Sequence, residues 1–147
     1  MKNIVKKIIV SGVIAAGSLS FSLMSMTHAA GPWFVSPAGN DSNDCLSAGT
    51  ACLTIQAAVN KATAGDTINV AAGTYAEHVT VNKALTINGP NMGTHGNGVR
   101  VAESIITGAA TGALQITASN VIIDGFKISS ASNALGSGIH MSSTTSG

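Results

Sequence analysis

Charge is scarce in this chain: only 9% of its 147 residues are Asp, Glu, Lys or Arg, and only 3% are aromatic. No basic stripe exists to follow a phosphate backbone, which argues against a nucleic-acid partner. Four histidines share no spacing, two cysteines cannot complete a zinc site, and no array of alternating Asp marks a calcium loop, so no metal or cofactor is expected. Asp124 has no second carboxylate at a spacing that would support glycoside hydrolysis. An unbroken membrane-length run is missing too, because the apolar stretch 8–26 is interrupted by Ser11, Gly12, Gly17, Ser18, Ser20 and Ser22. What is plentiful is small and apolar: 45% hydrophobic residues and 17 glycines, the opposite of a disordered composition.

The segment 1–29 reads as a secretory signal peptide. Lys2, Lys6 and Lys7 form its positive start, the broken apolar stretch its middle, and Thr27-His28-Ala29 a small-residue cleavage site. Beyond it, Lys61, Lys83, Arg100 and Lys127 stand against Asp41, Asp44, Asp66, Glu77, Glu103 and Asp124, a net charge of −2. The expected location is secreted or at the cell surface, with no membrane contact after cleavage. In that oxidising setting Cys45 and Cys52 are expected to form a disulfide, worth roughly 2.5 kcal/mol by loop-closure entropy.

Residues 66–89 carry the pattern that decides the fold. Ile68-Asn69-Val70, Val79-Thr80-Val81 and Leu85-Thr86-Ile87 each alternate in, out, in, as strands do. The segments Ala71–Thr74 and Asn82–Ala84 between them suit turns. The block then recurs: Ile68 matches Ile105, Val79 matches Leu114, Leu85 matches Val121 and Asn88-Gly89 matches Asp124-Gly125, at offsets of 37, 35, 36 and 36 residues. A third copy is expected to open at Ile139-His140-Met141. Constant self-similarity at this period marks a stacked array, here an all-β solenoid in which each string pairs with its equivalent one coil above. The inward residues are expected to be Ile68, Val70, Val79, Val81, Leu85, Ile87, Leu114, Ile116, Val121 and Ile123, with Asn69, Thr80, Thr86 and Gln115 facing water.

Residues 30–65 read as an N-terminal cap to the coils of 66–147. Trp33-Phe34-Val35-Ser36 is a short strand ended by Pro37. Thr54 is an N-cap, and Ile55, Ala58, Val59 and Ala62 give a helical face over 55–64, stopped by Gly65. Such a helix would cover the open end of the core.

Four strings occur in order along the cap and first strands: Trp-Phe-Val-Ser-Pro-Ala-Gly-Asn-Asp (33–41), Cys-Leu-Thr-Ile-Gln-Ala-Ala-Val (52–59), Ala-Gly-Asp-Thr-Ile-Asn-Val (64–70) and Gly-Thr-Tyr-Ala-Glu-His-Val-Thr-Val (73–81). Together they resemble the capping region of secreted bacterial right-handed parallel β-helix proteins of the pectin lyase-like superfamily, and Asn-Val-Ile-Ile-Asp-Gly-Phe-Lys-Ile (120–128) resembles their coil repeat. The resemblance implies a right-handed parallel β-helix with a short capping helix. It carries over no catalytic residue.

Glu77 beside His78 invites an acid–base reading, but alternation sends them to opposite sides, and Glu77 is expected to bond turn amides near Tyr75. The loop 91–100, holding His95 and Arg100 among three glycines, extends the first coil and is the one weak candidate for ligand contact. The leading expectation is a scaffold or carbohydrate-binding module, with a polysaccharide or cell-surface glycan as partner and no catalytic constellation. The alternative is the N-terminal fragment of a polysaccharide lyase, glycoside hydrolase or carbohydrate esterase whose active coils lie past residue 147. About two coils with one plugged end also imply a truncated array that self-associates through its open C-terminal end.

Overall fold

The computed structural model describes residues 31–95, 97–108, 112–130 and 138–141, so the expected signal peptide lies outside the described residues. Within them the chain is strand-dominated and solenoid-like: ten short strands in three parallel sheets, with one α-helix. Strand β1 (Trp33–Val35) leads into a loop, a 3-10 turn at Ala48–Thr50 and helix α1 (Ile55–Lys61). Three rounds follow: β2 (Thr67–Val70), β3 (Gly73–Tyr75), β4 (Val79–Val81); β5 (Thr86–Asn88), β6 (Ser104–Gly108), β7 (Leu114–Ile116); β8 (Ile122–Asp124), β9 (Phe126–Ser130), β10 (Ile139–Met141). Every third strand falls in the same sheet. The first sheet runs β1-β2-β5-β8, the second β3-β6-β9 and the third β4-β7-β10. Connections of a few residues cannot return a strand beside its predecessor in parallel, so each strand hands the chain to the next sheet.

Alternation puts the core where expected for most positions. Ile68, Val70, Val79, Val81, Leu85, Ile87 and Leu114 are buried, while Ile116, Val121 and Ile123 are half-buried against them. The pairings Val79 with Leu114 and Asn88 with Asp124 follow the sequence period. Two assignments are corrected. Ile68 stacks on Ile87, inside its own sequence block, and Ile105 pairs with Thr74. Ile139 pairs with Leu114, in the third sheet, rather than opening a coil equivalent to Ile105. The cause lies at Gly73–Tyr75, which is a strand and not part of a turn: with Tyr75 buried, 66–84 already completes one round and β5 opens the second. The loop holding His95 and Arg100 therefore extends the second round, not the first.

Helix α1 is shorter than its apolar pattern, because Ala62 leaves helical geometry (ψ 153°) before the left-handed Gly65 is reached. A two-turn helix is marginal alone, and its ends are held by the first round. Thr54 Oγ1 accepts from Ala57 N at 3.1 Å. Glu77 accepts from the amides of Ile55 and Gln56 at 2.8 and 3.0 Å, so its partners are the helix N-terminus and not the turn near Tyr75. Lys83 Nζ donates to the carbonyls of Val59, Asn60 and Ala62 at the other end. Acid at the N-terminus and base at the C-terminus match the helix dipole. Between them Gln56 accepts from Thr80 N at 2.7 Å and donates to Thr80 O at 3.4 Å, standing in for a missing neighbour at the edge of β4.

Cys45 and Cys52 form a disulfide, and both are fully buried. Their backbones continue the first sheet past β1: Phe34 N donates to Cys45 O at 2.8 Å and Cys52 N to Phe34 O at 2.9 Å. Lys61 Nζ ties this loop to α1, donating to the carbonyls of Asp41 and Asn43 and lying 3.3 Å from Cys45 Sγ. Trp33 is fixed by its indole N–H, which donates to Asp66 Oδ2 at 2.7 Å.

This packing makes two measurable demands. Gly125 has φ +79°, and a Cβ there would lie 2.3 Å from Met92 N. Gly125→Ala is therefore expected to cost about 3 kcal/mol or more, combining left-handed strain with a backbone clash. Denaturant unfolding followed by Trp33 fluorescence measures this, and a loss within experimental error would contradict the packing. Burial raises the pKa of Glu77 above its ordinary 4.5, outweighing the lowering by the Gln56 and Ile55 amides. A raised folded pKa means its contribution is greatest at low pH and is lost as pH rises through that value. The stability difference between wild type and Glu77→Gln should thus move against the wild type as pH climbs from 4.5. A flat difference, or one of opposite slope, would show that the amide bonds prevail over burial.

Candidate functional site

The outward side of the first sheet carries one row set by strand register. Phe34 on β1 pairs with Asn69 on β2, Asn69 with Asn88 on β5, and Asn88 with Asp124 on β8. Alternation sends these side chains outward, since Val35, Ile68, Val70 and Ile87 beside them are buried. Adjacent rungs of such a row stand about 4.8 Å apart. Neither the Asn69 nor the Asn88 carboxamide has a hydrogen-bond partner among the described residues, so each offers a donor pair and an acceptor to something outside the chain.

Two loops turn this row into a groove of about 520 Å³ lined by Phe34, Asn69 and Asn88. One wall is the disulfide loop, through Ala48 and Ala51, and the other is the 89–102 loop, through Pro90, Met92, Val101 and Ala102. The second wall is stapled. Asn91, 1% exposed, accepts from Val101 N at 2.8 Å and donates to Val101 O at 3.2 Å, using its side chain as one rung of a strand. Gly93 N donates to Asp124 Oδ2 at 2.8 Å, which ties the loop to the next round. Arg100 Nε meets Glu103 Oε1 at 2.7 Å. With these closures Met92, 55% exposed, and Val101, 62% exposed, are held at the surface beside the row.

Among the described residues, no Asp, Glu, Lys, Arg or His lines the groove. A concave, mostly apolar surface with a few convergent polar groups is the usual form of a small-ligand site. The groove supplies an aromatic face and two carboxamides, which can stack against a ring and exchange hydrogen bonds with hydroxyls. Its described lining holds no ionisable side chain, and its one hydroxyl, Ser36 Oγ, accepts from Ala38 N at 3.3 Å.

The structure places the sequence-derived candidates elsewhere. His95 is exposed and shares a separate small cavity with Gly93, Thr94 and Asp124. Arg100 turns to Glu103 and, at 3.5 Å, to the carbonyl of Phe126. They do not converge, and neither lines the groove. Glu77 and His78 diverge as alternation requires: Glu77 holds α1, and His78 Nδ1 lies 2.8 Å from Gly112 O. Among the described residues, no cluster of three His, Cys, Asp or Glu could hold a metal ion, and no helix is long and apolar enough to cross a membrane.

Phe34, Asn69 and Asn88 escape a reading based on the longer repeat period. A signal for the last two does exist: Thr67-Ile68-Asn69 recurs as Thr86-Ile87-Asn88, and the two tripeptides pair rung for rung. Comparison with protein-family models, curated proteins and solved structures finds no match.

The staple gives a local prediction. Asn91→Ala should free the Val101 amide and speed its hydrogen exchange at least about tenfold, for the loss of roughly 1.5 kcal/mol of hydrogen bonding. Unchanged Val101 protection would mean that the loop holds its shape without Asn91.

Proposed function

We propose that this chain is a right-handed parallel β-helix of the pectin lyase-like type, exported and capped at its N-terminus, and that it binds carbohydrate in the groove on its first sheet. The fold reading is supported by the three-sheet rotation of parallel strands and by the motif resemblance at 33–81 and 120–128. Export is supported by the leader pattern, and a disulfide is compatible with it. The observation that carries the function is the Phe34–Asn69–Asn88 row, an aromatic residue followed by two carboxamides without a partner among the described residues, on the floor of a walled groove. Aromatic faces take the apolar side of a sugar ring, and carboxamides serve its hydroxyls. The reading is binding rather than cleavage, because no carboxylate pair is found in the described lining of the groove.

Calorimetric titration of the protein with neutral hexose trisaccharides (cellotriose, maltotriose, mannotriose) and with trigalacturonate tests it. At least one should bind, and Phe34→Ala and the double variant Asn69→Ala/Asn88→Ala should each weaken that binding about tenfold or more, with Trp33 fluorescence reporting intact folding. Absence of binding across the panel, or equal binding by folded variants, would remove the proposal.

A further inference from the structure

Resting on that reading, we infer that the groove accepts uncharged sugar residues and rejects those bearing a carboxylate, and that Asp124 contributes to the rejection. The described lining offers no cation to pair with an anionic ligand. A carboxylate brought into it would lose hydration against Phe34, Met92 and Val101 and gain only neutral donors, the two carboxamides and the Ser36 hydroxyl, which compensate an ion poorly.

The surroundings add to this. The rung after Asn88 in the same row is Asp124, one strand spacing further along. Its Oδ2 accepts from Gly93 N in the groove wall, and that amide carries no charge to offset it. Arg100, the cation of the wall loop itself, shares a separate cavity with Asp124 but is paired with Glu103 at 2.7 Å. With Arg100 and Glu103 cancelling, Asp124 leaves one net negative charge at the far end of the row, which disfavours uronates and not neutral hexoses. The row sets a preference for length as well. Phe34, Asn69 and Asn88 occupy three successive rungs about 4.8 Å apart, close to the length of one pyranose ring, so affinity should stop rising near three sugar units.

The test uses whichever trisaccharide of the panel binds most tightly. If it is neutral, it is compared with the same molecule oxidised at its C6 hydroxyls to carboxylates, and with the methyl ester of that product as a control for size. The expected result is that neutral sugar and ester bind within a few-fold of each other while the free acid is at least about tenfold weaker. Asp124→Asn, which keeps an oxygen for Gly93 N, should narrow the ratio of ester to acid affinity by about threefold or more at low salt. If trigalacturonate is the tightest ligand, or the acid matches the ester, the inference is overturned while carbohydrate binding stands. A gap unchanged in Asp124→Asn overturns the part given to Asp124. A panel with no binder overturns the underlying reading and this inference with it.

Discussion

The stacked sheets depend on how the first round is closed, and that closure is a clamp on α1. Glu77 and Lys83 flank β4 and hold opposite ends of the helix, while Gln56 docks on Thr80 between them. Seven helical residues span about 10 Å, whereas the strand path from residue 77 to 83 is roughly 20 Å. The difference is taken up by two long charged side chains reaching inward over the ends of a short element. The arrangement covers Ile55, Ala58 and Val59 with the core and gives the edge of β4 a partner that is not another chain. Neither helix nor edge strand is a stable object alone; each supplies the polar groups that the other leaves unpaired.

With the edge covered, round length becomes a free variable. The inner rows need only one buried residue in register per strand. Ile68 can therefore stack on Ile87 across a short round, while Ile87 stacks on Ile123 across one nearly twice as long. The surplus in the second round leaves the stack at Gly89 and returns at Ser104. It leaves beside the same sheet face that the disulfide loop borders from the other end. The groove is a consequence of where the insertions fall. A flat solenoid face gains depth because two loops, one fixed by a covalent bond and one by Asn91, rise on either side of one row.

Much of this was legible from residues alone. Period-two alternation locates nearly every inward side chain, and the pairing of two cysteines across a short polar loop is a chemical default in an oxidising compartment. The round boundaries were less legible. Gly73-Thr74-Tyr75 has one apolar side chain, and glycine at φ +156° is extended here, so the segment looks like a turn until β6 is found beside it. Treating it as a turn shifts Ile68 and Ile139 onto the wrong partners and hides the Thr-Ile-Asn repeat. The groove was hidden for a different reason. Outward asparagines look solvated in sequence, and only loops distant along the chain, at 48–51 and 89–102, show that two of them line a concavity.

The scarcity of charge has a structural meaning that bears on function. Asp41 accepts from the amides of Leu53 and Thr54, Asp44 from Leu46 and Thr50, and Asp66 from Thr63 and Trp33. Glu77, Lys61 and Lys83 close α1 and the disulfide loop, Arg100 and Glu103 pair, and Asp124 holds Gly93. Among the described residues, each charged side chain of the cap and the rounds except Lys127 is committed to a loop, a helix end or another charge. Charge here is used to terminate backbone segments that a solenoid leaves irregular. None of these ions is in the described lining of the groove. What the described lining holds instead is shape, one aromatic ring, two carboxamides and the Ser36 hydroxyl, neutral groups set on an apolar surface.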